Sequence, residues 1–411
     1  GYSSEPGKIA RNLAAGVSSA TPSRILGTKE SSAPDMASFA NCVMLRYLDC
    51  NDSYFSPGGG HPSDMIPAAL AMAGARGSDG KTVITAIALA YEVFCRLSDQ
   101  VVASDFGWDQ GIFGVVGATC AAGKVMGLDK KQMGHAISLS VAQNLPLGVT
   151  RTGELSMWKG CATASATRAG VFSALLAEQG MTGPDEPFEG RRGLWEQAMC
   201  GPVTLAAFGG MDEPFRILDT TFKSYPSQIH TQGPIGLSLE LSSQVSAGDI
   251  DSILIRAYKS AVSTPATEPE KWDPKTRETA DHSIPYLVAA ALQDGEISPT
   301  TFTTQRIQDP ALRTIINKMT IQEDTDFTEK YPNEYNCRIE ITSKTGQLLT
   351  AHTSFPKGNR FNPLSDSEVE AKFRTLASPE LGQSSYDQTL ELAWSLDTLP
   401  NLDALFDSLV V

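Results

Sequence analysis

The feature that most constrains the fold is a change in the spacing of apolar residues near Ile217. From about residue 35 to 205, apolar and small residues recur at intervals of three and four, which is typical of one buried helix face. Beyond Ile217, residues 252–258 and 336–342 alternate or run apolar as strands do. The chain is therefore predicted to be mostly α, with an all-helical part followed by a smaller α+β part.

Several helices can be predicted in detail. Apolar side chains in residues 81–98 form one stripe, and small residues aligned in 111–128 would let that helix approach its neighbours closely. Asp129 is expected to cap the next helix. Helical spacing returns in 368–376 and 389–396, and these helices are expected to pack back on the first part. No strand is expected among the first helices.

Charge and cysteine content exclude several classes of protein. The net charge is −14 and no dense Lys/Arg run is present, so we expect neither a nucleic-acid partner nor a membrane partner. An anionic substrate would need a few cations gathered locally. No stretch reaches the ~20 apolar residues of a membrane span. The cysteines lie at positions 42, 50, 95, 120, 161, 200 and 337, and none forms a CxxC pair. Neither a disulfide framework nor an iron–sulfur cluster is therefore expected. An intracellular location, in the cytoplasm or the mitochondrial matrix, fits best.

Residues 47–64, YLDCNDSYFSPGGGHPSD, crowd carboxylates, a hydroxyl, three glycines and a histidine into one short stretch. The glycines allow a sharp turn, and Ser63 is expected to cap a helix, which puts His61 just ahead of a helix N-terminus. There a histidine could transfer protons beside amides that hold a carboxylate. Asp49 and His61 are the pair of interest. Alternatively, Asp49 and Asp52 merely cap a helix end and His-Pro is a loop element.

Two lysines are also candidates for a site. Lys159 precedes a run of small residues at 161–170, and a lysine entering a tightly packed helix needs an anionic partner or substrate. The alternative is a solvated lysine that points outward at a helix end. Lys223 and His230 lie in FKSYPSQIHTQ (222–232), near the boundary between the two parts, where clefts often bind ligands.

A fourth stretch, ADHSIPY at residues 280–286, places His282 and Tyr286 at the entrance of an apolar helix. Taken alone, this stretch fits a structural role as well as a catalytic one. The same is true of each of the other stretches. Their order along the chain carries more information than any one of them.

In this order, the stretches resemble the MmgE/PrpD family, which includes 2-methylcitrate dehydratase, cis-aconitate decarboxylase and iminodisuccinate epimerase. The resemblance runs over nearly the whole chain. The motifs that carry it are LDxND with HPSD (48–64), Trp-Lys-Gly (158–160), Thr-Gly-Pro (182–184) with Phe-Glu-Gly (188–190), FKSYPxxxH (222–230) and ADHSxPY (280–286).

The resemblance implies a larger all-helical domain made from both chain ends, residues 1–213 and 366–411, and an inserted smaller α+β lid domain, residues 214–365. It also implies a homodimer with no metal and no other cofactor, acting on a small tricarboxylate. Because the chain lacks the first helices usual for the family, a leader or targeting segment is expected to be missing.

The resemblance also implies a site. By analogy the active-site positions fall on Asp49, Ser53, His61, Lys159, Lys223 and Tyr286, with His230 nearby. Of these, Asp49, His61, Lys159, Lys223 and Tyr286 are the catalytic candidates. The candidate substrate contacts are Ser53 and His230, together with Asp52, Ser63, Gln110 and His282. The chain departs from the family where Ser53 replaces a frequent threonine and Tyr54 a common tryptophan. A further histidine of the decarboxylases, expected at 108–110, is absent, with Gln110 nearest.

The expected reaction is dehydration of a 2-alkylcitrate such as 2-methylcitrate. Lys159, Lys223 and the helix start after His61 would bind carboxylates, while Asp49 and His61 would act as acid and base, in an order that the sequence does not assign. Tyr286 is an alternative proton donor.

Other reactions stay open at this stage. The twelve-residue separation of Asp49 from His61, the HPSD ending and the absent histidine favour dehydration over decarboxylation of cis-aconitate. Epimerisation of an amino-dicarboxylate needs the same proton abstraction but no leaving group. An inactive binding or structural protein is disfavoured, since a scaffold has no need for these polar positions. The substrate could be methylcitrate, a longer alkylcitrate or another acid.

Overall fold

Helices dominate the computed structural model, which describes residues 1–153, 155–199, 201–210, 213–263 and 265–411. The mostly α prediction is thereby confirmed, with small sheets beside the helices. No helix of the described residues is both long and apolar enough to span a membrane. Six cysteines at positions 42, 50, 95, 120, 161 and 337 are buried free thiols, whereas Cys200 lies outside the described residues.

The helices of the first part are built around one central helix. They are α1 (Glu5–Ala15), α2 (Pro34–Arg46), α3 (Ile66–Arg76), α4 (Gly80–Gln100), α5 (Gly111–Met126), α6 (Lys130–Gln143), α7 (Ala162–Glu178) and α8 (Leu194–Ala198). Helix α5 packs against α3, α4, α6 and α7. A Cβ at Gly117 or Gly170 would fall within 3.0 Å of neighbouring atoms, so the small residues do permit close helix packing, as predicted. Asp129 caps α6 with a capping box, also as predicted.

The second part contains a four-stranded sheet covered by helices. Its elements are β5 (Ile250–Ala257), β6 (Met319–Glu323), β7 (Cys337–Ser343), β8 (Leu348–Thr353), α9 (Gln232–Ser242), α10 (Lys259–Ser263), α11 (Pro269–Trp272), α12 (Arg277–Ala280), α13 (Ile284–Asp294), α14 (Thr304–Ile307), α15 (Pro310–Ile316) and α16 (Thr325–Lys330). The strand order is β6-β5-β7-β8, with β5 and β6 parallel and the other pairs antiparallel. Helix α9 packs on β7 and β8. The strands expected at 252–258 and 336–342 are confirmed.

The C-terminal helices are α17 (Asp366–Ala377), α18 (Gln383–Trp394) and α19 (Asp403–Ser408), which confirms the helices expected near 368–376 and 389–396. Leu402 and Phe406 belong to the apolar core of the first helices. A second apolar core lies within residues 235–351 and contains the sheet.

One prediction about the first part is wrong, because a short strand does occur among its helices. It is β3 (Asp52–Tyr54), which pairs antiparallel with β4 (Thr220–Phe222). A further pair, β1 (Ser23–Arg24) with β2 (Ser31–Ser32), precedes the region that was predicted to be helical. Since β3 and β4 are far apart along the chain, neither carries a local hairpin pattern. Their pairing brings the stretch at 47–64 beside Lys223, whose amide donates to the Asn51 carbonyl at 3.3 Å.

Nine short 3₁₀ helices also occur among the described residues. They cover Pro62–Met65, Ala103–Phe106, Gly148–Arg151, Met157–Gly160, Arg216–Asp219, Ile229–Thr231, Ala247–Asp249, Pro299–Phe302 and Leu396–Thr398.

Candidate active site

The centre of the candidate site is the carboxylate of Asp49, just beyond the end of α2. Asp49 has φ 54°, in the left-handed region that aspartate tolerates better than most residues. Its amide donates to the Arg46 carbonyl at 3.0 Å. This tight turn directs the side chain, which is only 2% exposed, into the protein.

Three buried cations surround this carboxylate. Lys159 Nζ lies 2.9 Å from Oδ2, and Lys223 Nζ lies 2.7 Å from Oδ1 and 3.0 Å from the Asp49 carbonyl oxygen. Arg46 Nη1 also donates to Oδ1. The solvated alternative for Lys159 and the helix-cap alternative for Asp49 are therefore both wrong.

This arrangement sets the protonation of Asp49. Burial alone would raise the pKa of Asp49, but Arg46, Lys159 and Lys223 together hold that pKa well below its usual range. Burial lowers the pKa of Lys159 to about 8 and also lowers the pKa of Lys223, while Asp49 opposes both shifts. At neutral pH Asp49 is thus a carboxylate, so it cannot serve as a proton donor in this state.

His282 completes the surroundings of Asp49. Its Nε2 lies 3.6 Å from Asp49 Oδ2, and its Nδ1 pairs with Asp281. Burial and the nearby Lys159 charge lower the pKa of His282 to about 4. The imidazole is therefore neutral at pH 7.

His61 is held in one tautomer. Its Nδ1 lies 2.7 Å from the Asp52 carbonyl oxygen, and because a carbonyl can only accept, Nδ1 carries the proton and Nε2 is left as an acceptor. Its amide donates to Gln110 Oε1 at 2.7 Å, which fixes the backbone. Burial and the charges of Arg46 and Lys223 hold the pKa of His61 well below its usual range. This histidine has the right form to accept a proton.

The predicted role of the helix start after His61 is wrong. A 3₁₀ helix begins at Pro62, and Ser63 is inside it rather than at its cap. The Ser63 amide donates to Asp52 Oδ1 at 3.2 Å and the Asp64 amide donates to the His61 carbonyl at 3.1 Å. Because these amides already have acceptors, they are not free for a substrate carboxylate. Asp52 lies on β3 and bonds the second residue of this helix.

Six of the predicted site residues share one cleft of about 240 Å³: Asp49, His61, Gln110, Lys159, Lys223 and His282. Asp52, Ser53 and Ser63 are buried and do not line this cleft. Ser53 Oγ donates to the Gly60 carbonyl at 3.4 Å, and Ser63 Oγ accepts from Asn51 at 2.9 Å.

His230 and Tyr286 point elsewhere, which corrects their assignment to the site. His230 Nδ1 shares a 2.6 Å hydrogen bond with the Tyr258 hydroxyl and lines a separate, smaller cavity. Ser283 caps α13. Tyr286, in the first turn of this helix, packs in the second apolar core, where its hydroxyl donates to the Thr301 carbonyl. Tyr286 does not line the cleft, and its hydroxyl is already bonded within the second core.

Other polar cleft residues had no assigned role in the sequence. Arg46 could have been noticed as the sole cation of α2, three residues before Asp49. Arg151 Nε bonds Asp109 Oδ2 at 2.5 Å and Arg151 Nη1 donates to the Lys159 carbonyl at 3.3 Å. Nothing in the sequence distinguished Arg151 from other surface arginines.

One cluster in the site has the spacing of metal ligands. Ligand atoms of Asp49, Asp281 and His282 lie within 4.8 Å of one another. However, Asp49 is already bonded to cations, and His282 Nδ1 is taken by Asp281. A divalent ion would face strong repulsion from the lysine ammonium groups. The donor set suits the binding of anions better than the binding of a metal.

Comparisons with known proteins agree with this picture. A family model for the MmgE/PrpD N-terminal domain matches residues 1–205, and one for the C-terminal domain matches residues 225–398. The 2-methylcitrate dehydratase of Salmonella typhi is 25% identical over 359 residues, covering 82% of this chain and 71% of the relative. The mitochondrial 2-methylcitrate dehydratase of Yarrowia lipolytica is 26% identical, covering 82% and 68%. The cis-aconitate decarboxylase of Homo sapiens is 23% identical, covering 90% and 78%. On these matches, the chain belongs to the MmgE/PrpD family.

Proposed function

We propose that this protein is a lyase that dehydrates a 2-alkylcitrate, such as 2-methylcitrate, to the corresponding aconitate without a metal or another cofactor. The observation that carries the proposal is a buried carboxylate held by three cations, with a neutral histidine in the same cleft. The 2-methylcitrate dehydratases among its relatives support the same reaction.

The charge of the cleft suits a substrate with several carboxylates. Among its lining residues, four cations, Arg46, Arg151, Lys159 and Lys223, stand against the carboxylates of Asp49 and Asp109. This local surplus of positive charge contrasts with the net charge of −14 for the whole chain. Substrate carboxylates would bind the ammonium groups of Lys159 and Lys223 while these groups stay bonded to Asp49. The bonds to Asp49 keep both ammonium groups oriented.

The proposed reaction divides proton transfer between two residues. His61 Nε2 accepts a proton from the carbon next to a carboxylate, and the electron pair of that C–H bond forms the alkene as the carbon–oxygen bond breaks. The Lys159 ammonium gives a proton to the departing hydroxyl, which leaves as water. A pKa of about 8 suits Lys159 to this role near neutral pH, and Asp49 stays ionised throughout.

We further propose the architecture that the family resemblance implied. Residues 1–213 and 366–411 would form the helical domain, and residues 214–365 the lid. The two separate apolar cores, and the presence of Leu402 and Phe406 in the first of them, support this division. A homodimer and an intracellular location belong to the same proposal. Buried free thiols among the described cysteines are in keeping with a reducing compartment.

The test is an NMR time course of the metal-chelated protein with 2-methylcitrate, citrate and cis-aconitate offered separately. Formation of an alkene from 2-methylcitrate without carbon dioxide is the expected result. The second candidate is decarboxylation, favoured by the human relative that covers 90% of this chain. Release of carbon dioxide from cis-aconitate would replace our proposal with this one. An amino-dicarboxylate substrate tests the epimerase. Inactivity with all of these acids and with longer 2-alkylcitrates would indicate a binding or structural protein.

A further inference from the structure

The lining of the cleft includes a set of apolar side chains, the apolar wall. Its side chains come from several separate segments of the chain. They are Val101, Ala103, Trp108, Phe113, Leu155 and Ile229.

Among the side chains of this wall, Trp108 alone carries a polar atom. Trp108 Nε1, the polar atom of its indole, donates to the Ala198 carbonyl at 2.9 Å. The Trp108 amide donates to the Ala103 carbonyl at 3.1 Å, which ties these two residues together across the Ala103–Phe106 turn. The side chains of the wall therefore offer a ligand apolar contacts, while Ser104, Asp109 and Gln228 add polar groups to the same cleft.

We propose that this wall is a binding site for the alkyl chain of the substrate, and that the preferred 2-alkylcitrate carries a chain longer than methyl. The inference rests on the proposed dehydration and adds the class of substrate. A carboxylate or hydroxyl placed against this wall would lose hydrogen bonds to water without replacing them. A methyl group can touch only a few of six side chains, whereas a chain of several carbons can cover them.

The first experiment measures kcat/KM for the homologous series of 2-methyl-, 2-ethyl-, 2-butyl- and 2-hexylcitrate with the wild-type protein. Burial of each methylene against the wall should raise kcat/KM by about fourfold until the wall is covered. If the values are flat or fall from methyl onward while 2-methylcitrate is dehydrated, the chain-binding inference is overturned and the proposed function stands.

Binding is measured separately with 2-alkyltricarballylates, which lack the hydroxyl that leaves. If the affinity measured by calorimetry increases with chain length, the apolar site is supported. If the affinity increases in this way but none of the citrates is dehydrated, the apolar site stands and the proposed function is overturned. Affinity that does not depend on chain length would refute the apolar site.

A substitution at the wall tests the position directly. Ala103→Leu places a larger side chain on the wall and should lower the ratio of kcat/KM for hexylcitrate over methylcitrate by at least about tenfold. The matched control is Ala371→Leu, the same change on an exposed position of α17, which should leave that ratio unchanged. An unchanged ratio in a folded Ala103→Leu protein would contradict the inference. If that variant does not fold, the wild-type chain-length series still decides.

Discussion

The variant Lys223→Met tests the charge cluster with little change in side-chain volume. Lys223 has no exposed surface, and its ammonium bonds both Asp49 Oδ1 and the Asp49 carbonyl. Removing one partner from a buried ion pair costs about 3–5 kcal/mol. Arg46 and Lys159 remain on Asp49, and loss of the Lys223 charge relieves its repulsion with Arg46. We therefore expect the free energy of unfolding to fall by about 3 kcal/mol, the lower end of this range.

This loss should leave a folded protein, since proteins of this kind have a stability of about 5–15 kcal/mol. Turnover should fall by about 10²–10³, because a preorganised charge is absent from the site where substrate charge develops. Urea denaturation measures the stability and the NMR assay measures turnover.

The control is Lys271→Met. Lys271 is another buried lysine, 3% exposed, whose carboxylate partner Glu268 lies 3.8 Å away and which does not line the cleft. It should change stability without lowering turnover. Equal losses of turnover in both variants, or wild-type turnover in a folded Lys223→Met protein, would refute the assigned role of Lys223.

Further predictions concern pH, His61, a positioning residue and metals. Because Lys159 loses its proton as pH rises through about 8, kcat/KM should decline above that pH, and Lys159→Arg should abolish that decline in a pH profile. His61→Ala should lower kcat by about 10²–10⁴, whereas the control His352→Ala, on an exposed position of β8, should not. Lys372 Nζ donates at 2.7 Å to two backbone carbonyls beside β3 and β4, so Lys372→Met should lower kcat more than it raises KM, with recovery in Lys372→Arg. Incubation with a chelator should leave turnover unchanged, and restoration by an added divalent ion would contradict the account.

Local patterns allowed much of the helical structure to be predicted from the sequence. The stripe in α4, the small residues of α5 and the Asp129 cap each depend on residues a few positions apart, and each was found where expected. The β3–β4 pair was missed because its two strands are joined only by long-range folding. The cap at Ser63 was misassigned because the 3₁₀ helix already begins at Pro62, so that Ser63 is inside it and its amide donates to Asp52 of β3.

In the candidate site, too, single residues could be predicted from local sequence, whereas contacts between distant segments could not. Asp49, Lys159 and Lys223 could be named from their unusual sequence surroundings, but their direct contact could not, since it depends on three separate segments meeting. Tyr286 was misplaced because a motif gives a position in the chain and not the direction of its side chain. Arg46 was missed because a lone arginine at the end of a helix usually faces solvent, and only the fold buries this one beside Asp49.

The central claim is that the cleft around Asp49 dehydrates an alkylcitrate without a metal. The most direct measurement is an NMR time course of 2-methylcitrate and 2-butylcitrate. It compares wild-type protein treated with a chelator with the Lys159→Met and His61→Ala variants. We expect the wild type to form the alkene with no carbon dioxide, and both folded variants to be slower by about 10²–10⁴. Carbon dioxide from the wild-type reaction, or variants that keep the wild-type rate, would contradict the account.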